Sequence, residues 1–95
     1  MNELDEKRRK AAAKVVYYQE AATPVLDVTA EQGRSLQALF SSVSAIAFGE
    51  EATAARLAAV RSAAERTRAA WPREMTADRL SSVGVLLEAA DLLVS

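Results

Sequence analysis

Side chains that commonly build active sites are nearly absent from this chain. It contains no histidine and no cysteine. That removes the commonest general base, the thiolate nucleophile and the soft metal ligands, and with them any Ser-His or Cys-His machinery. The Glu-x-x-His ligand pairs of di-iron helical bundles are excluded for the same reason. Carboxylates remain, but Glu50 and Glu51 are adjacent, and consecutive helical residues diverge instead of converging on a cation. They suit the positive end of a helix dipole better. Gly33-Arg34-Ser35 lacks the several glycines and the Lys-Ser/Thr pair of a phosphate loop. A protein that is not an enzyme, with no cofactor and no bound metal, is the expectation.

Cations offer more. Lys7-Arg8-Arg9-Lys10, with Lys14, is the most basic stretch. On a helix these five spread around the circumference and interleave with Glu3, Asp5 and Glu6, the pattern of a solvated face with local ion pairs. The alternative is a small DNA-binding regulator using this basic first helix. It needs a recognition helix with base-reading Arg, Asn or Gln near its start, and no segment has one. Twelve basic and thirteen acidic residues leave a net charge of −1, so no global field draws nucleic acid or an anionic membrane. Tyr17 and Tyr18 point to different faces of their helix, Tyr18 into a seam and Tyr17 toward solvent, and one tyrosine is no base-stacking platform. Arg56, Arg61 and Arg68 flank the seam of a later helix, where their stems cover apolar edges.

The elements that carry these residues read as helices throughout. Abundant alanine with Leu, Glu and Arg, and only three glycines and two prolines, is helical composition. Ninety-five residues make one domain, 1–95, of a size often helped by a partner. The spacing predicts an all-α, up-down bundle of about four helices, approximately 3–22, 24–48, 51–71 and 77–94. Asn2 caps the first, whose buried stripe is Leu4, Ala11, Val15, Tyr18 and Ala22. For the second, two starts compete. Thr23-Pro24 can open a long helix, bent near Gly33, while Thr29-Ala30-Glu31-Gln32 fits a capping box with 24–28 as linker. The continuous spacing from Val25 through Val28 to Leu36 favours the long helix. Gly49 closes it with the conformational freedom that a helix end requires. The third helix carries the seam Thr53, Leu57, Val60, Ala64, Thr67 and Trp71, with Trp71 plugging the end of the core. Thr76 caps the last, whose core stripe is Leu80, Val83, Leu87, Ala90 and Val94. No run reaches the ~20 apolar residues of a membrane span, and no apolar stretch follows the basic N-terminal run as in a secretory signal. A cytoplasmic protein without membrane association is expected.

The chain is organised around Ser35–Gly49, which carries no charge although 26% of all residues do. Leu36, Leu39, Phe40, Val43, Ile46 and Ala47 form its oily front, and its back is small and neutral. The last helix is apolar over most of its circumference. A simple bundle would leave Val85 and Leu92 wet, each forgoing roughly 1.5–3 kcal/mol of burial. These flanks predict a non-catalytic protein-protein interaction module (an adaptor, inhibitor or assembly subunit) whose interface includes Ala38, Ser41, Ala45, Val85 and Leu92. A protein partner, most simply a second copy, is expected; an irregular bundle that covers both flanks internally is the competing possibility.

A further alternative rests on resemblance. The turn Ala47-Phe48-Gly49 resembles, in length of chain and in its glycine, the central turn of small secreted WXG-type helical hairpins. That family has tryptophan two residues before the glycine where this chain has Ala47, and a C-terminal tyrosine-containing export signal where this chain has no tyrosine after Tyr18.

Overall fold

The computed structural model describes residues 3–23, 25 and 27–95. Five helices follow one another: α1 (Glu3–Glu20), α2 (Ala30–Ala47), α3 (Ala54–Ala70), the single-turn α4 (Arg73–Ala77) and α5 (Ser82–Val94). The four long ones run up, down, up and down, as expected. Thr23 at the end of α1 bonds to the start of α5, and Lys7 near the start of α1 reaches the carbonyl of Ser95. At that same end Arg8 donates to the Glu50 carbonyl between α2 and α3 at 2.8 Å.

The packing is a flattened rhomb. α5 packs on α1, α2, α3 and α4, and α2 packs on α1, α3 and α5, whereas α1 and α3 have no comparable contact. The two least charged helices therefore share the short diagonal, and the two charged ones occupy the far corners. Extents of 41 × 26 × 17 Å fit that section. The centre is α5 and not the Ser35–Gly49 stretch: every residue from Ser82 to Leu87 is buried, as are Ala89, Ala90 and Leu93. Leu39, Val43 and Ile46 of α2, Val60 and Ala64 of α3, and Ala11 and Val15 of α1 complete the core. Trp71 is buried at the end of the α3 seam, as expected.

The expected helix over 24–48 is corrected. Pro24 lies outside the described residues, but Val25, Asp27, Val28 and Thr29 are not helical. Asp27 has φ of +56°, which breaks any helix through it. The capping box decides the start. The Thr29 hydroxyl accepts from Gln32 N at 3.1 Å, and the Gln32 side chain accepts from Thr29 N at 3.0 Å. Helical spacing from Val25 to Leu36 could not reveal this, because an extended segment can also bury Val25 against the core. Thr23, expected with Pro24 to open the long helix, instead joins the start of α5: its N–H donates to the Leu80 carbonyl at 3.3 Å, and its carbonyl accepts from Ser82 N at 3.4 Å and from the Ser82 hydroxyl at 2.7 Å. The Asn2 cap also lies outside the described residues.

α3 begins at Ala54, later than the expected 51, because Thr53 serves as its cap. The last helix is corrected more substantially. Thr76 does not cap it; its hydroxyl donates to the Arg73 carbonyl at 3.2 Å. The Asp78 carboxylate takes Leu80 N at 3.0 Å, a local bond that competes with helix. Ser81 becomes the cap, its hydroxyl accepting from Gly84 N at 2.9 Å. Gly49 has φ of +125°, as expected of the residue ending α2. Among the described residues no helix is long and apolar enough to cross a membrane.

Candidate interaction surface

The outer stripe of α2 is set by helical spacing. Ala30, Arg34, Gln37 and Ser41 are exposed, Ala45 is half-buried, and Phe48 beyond the helix end is exposed. The stripe is charged only at its upper end. There Glu31 meets Arg34 at 3.2 Å and Arg66 of α3 at 3.6 Å. Arg34, Gln37, Ala38, Ser41 and Arg66 line a shallow depression of about 340 Å³ there. Below Arg34 no charged side chain follows on α2. The Ser42 hydroxyl turns back on the Ala38 carbonyl, so it offers little to a partner. At the lower end Phe48 is 59% exposed, held by its N–H to the Ser44 carbonyl at 2.9 Å.

Of the five residues expected at an interface, three lie on α2 and two on α5. On α2 Ser41 is exposed, while Ala38 and Ala45 are half-buried and Ala38 packs against the core. Val85 is 3% exposed and sits against Ala13 and Tyr17 of α1. Leu92 is half-buried beside Glu3, Glu6, Lys7 and Lys10 of the same helix. The rhomb explains the split. α5 on the short diagonal turns these two flank positions toward α1, so the competing possibility of internal cover holds for α5. On the lower half of α2 Ser41 is exposed and Ser42, Ser44 and Ala45 are half-buried, with Phe48 exposed beyond the helix end.

The basic run is dispersed into the fold. Lys7 lies 3.6 Å from Glu3 and Lys10 3.5 Å from Glu6. Lys14 pairs with Glu88 of α5, and Arg8 is committed to the Glu50 carbonyl. Arg9 is exposed. Tyr18 packs on Phe40 with ring centroids 5.4 Å apart, and burial raises its phenol above the ordinary value of 10.0.

Sequence reasoning missed a groove between α1 and the turn before α5. Tyr17, Ala13, Leu80 and Val85 supply its apolar lining, and Lys14, Arg79 and Glu88 its charges. The sequence placed Leu80 in the core stripe; with the helix starting at Ser82, Leu80 falls in the turn and is 65% exposed. The signal available was Ser81 immediately before the helical run that starts at Ser82, an N-cap type somewhat better than the threonine at 76.

No protein-family model matches this sequence, and comparison with curated proteins and with solved structures yields no match.

Proposed function

We propose that the chain is a non-catalytic protein-interaction module that docks through the outer face of α2, with a second copy of itself as the partner. The observation that carries this reading is Phe48, 59% exposed at the foot of a helix exterior with no charge below Arg34. Burying such a ring is worth roughly 1.5–3 kcal/mol. Ala45 one turn above it, and Ser41 and Ala38 further up the helix, are small enough to let another helix approach closely. A net charge of −1 puts little repulsion between two copies. An ordinary interface takes about 800 Å² from each partner, a modest part of the 5574 Å² surface.

The DNA-binding alternative finds less support, because Lys7, Arg8, Lys10 and Lys14 are engaged within the chain. The resemblance to a secreted helical hairpin also weakens, since four long helices form here instead of two.

Sedimentation equilibrium of the wild type, Ala45→Glu and Phe48→Ser tests the proposal, with circular dichroism to confirm that each variant folds. The expected result is a wild-type dimer and monomeric variants. A wild type that stays monomeric at the highest attainable concentration, or a dimer indifferent to both changes, overturns it.

A further inference from the structure

The groove between α1 and the turn before α5 lies apart from the α2 exterior and combines two features that sequence reading did not join. Its volume is about 410 Å³, within the range of small-molecule sites. Tyr17, Leu80, Val85 and Ala13 give it an apolar wall, and Leu80 is the most exposed large hydrophobic residue described. Charge gathers along one edge. Glu88 is shared by Lys14 and by Arg79, whose Nε lies 3.1 Å from Oε2. That contact is a charge pair and not an aligned hydrogen bond, since Oε2 is enclosed without a hydrogen-bond partner. Further along α5 and outside the groove, Asp91 is held by Arg68 at 2.9 and 3.0 Å, so that pair is closed on itself. The nearby Asp78 carboxylate is occupied by Leu80 N. Within the groove itself two cations, Lys14 and Arg79, therefore face one carboxylate, Glu88, and Arg79 has an 81% exposed side chain that can turn to a new anion.

The geometry points to a binding site for a small amphiphilic carboxylate, an aliphatic or aromatic acid. Its apolar body lies against Tyr17, Leu80 and Val85, and its carboxylate takes the guanidinium of Arg79 beside Lys14. Arg suits this role because its planar fork accepts a carboxylate through two parallel hydrogen bonds. An acid without an apolar body lacks the wall contacts, and a neutral amphiphile lacks the charge pairing.

Amide chemical shifts followed by NMR during titration with octanoate, octanol and acetate test the site, on the wild type and on Arg79→Gln and Leu80→Ser. Arg79 and Leu80 are exposed, so both variants keep the fold, which circular dichroism checks. Octanoate is expected to bind most tightly, with shifts centred on Tyr17, Leu80 and Val85. Arg79→Gln should weaken octanoate about tenfold, the equivalent of one charge-assisted hydrogen bond, and leave octanol unchanged. Leu80→Ser should weaken both. Absence of octanoate binding, shifts spread evenly over the surface, or equal affinities for octanoate and octanol in wild type and Arg79→Gln would each overturn the assignment.

Discussion

Gly84→Ala and Gly33→Ala are the same chemical change in two helices, and the fold predicts opposite signs for them. On intrinsic propensity alone either change should stabilise a helix by about 1 kcal/mol. At Gly84, however, a Cβ would lie 1.9 Å from the Asp78 carbonyl oxygen, 2.6 Å from its carbon and 3.1 Å from the Met75 oxygen. All three are backbone atoms, so no side chain can swing aside, and the turn must retreat by about 1 Å. The same two carbonyls hold the Ser81 cap: the Ser81 hydroxyl donates to Met75 O and to Asp78 O, each at 2.8 Å. Overpacking of this kind costs about 1–3 kcal/mol, and a disturbed cap about 1 kcal/mol more. After the propensity gain, the net loss is about 1–3 kcal/mol. In a domain of this size each kcal/mol moves Tm by ~4–8 °C. At Gly33 the new methyl meets only Val28 Cγ1, at 3.7 Å, an ordinary contact, and a gain of about 0.4–1 kcal/mol is expected. Urea unfolding and thermal melts of the two variants, followed by circular dichroism, measure both. A Gly84→Ala protein as stable as the wild type would refute the close approach of the Asp78 turn to α5, and with it the start of α5 at Ser81–Ser82.

Two other outcomes follow from local geometry. Thr29→Ala removes the acceptor for Gln32 N and should cost about 1 kcal/mol in urea unfolding, whereas a helix truly starting at residue 24 would lose nothing there. Tyr18, raised by burial, stays neutral longer in the folded chain than in the unfolded one. Its contribution to stability is therefore complete below pH 10.0 and lost as pH rises through its folded value. Unfolding measured from pH 8 to pH 11 should weaken toward the alkaline end, and Tyr18→Phe should flatten that slope.

Periodicity made most of the fold legible. Ala11 and Val15, Leu39, Val43 and Ile46, and Val60, Ala64, Thr67 and Trp71 all lie in the core as their spacing requires. The boundaries were less legible where two valid signals stood close together. Thr23-Pro24 and the Thr29 capping box both announce a helix, and so do Thr76 and Ser81. Tertiary bonds between the Thr23 backbone and the Leu80–Ser82 segment favour the second signal of each pair, and nothing in either local sequence reveals that pairing. The same displaced start moved Leu80 from core to rim. Part of the candidate surface was readable from α2 alone, since Ala38, Ser41 and Ala45 share a stripe. The burial of Val85 depended on which helix would lie beside it.

The rhombic section also determines what can report on association. A greasy helix on the short diagonal is touched by three long neighbours, and α5, only 13 residues long, is covered over most of its surface by them and by α4. α2 has the same neutral character and 18 residues, but Ala30, Arg34, Gln37 and Ser41 along its outer stripe stay exposed. The two most exposed large hydrophobic residues described are Phe48, 59% exposed just past the end of α2, and Leu80, 65% exposed in the turn before α5. A charge at Val85 would be forced into the core and would test folding, so loss of a dimer there would say nothing about an interface. Ala45 is half-buried, so loss of a dimer in Ala45→Glu reports on an interface once circular dichroism shows that the monomer keeps its fold.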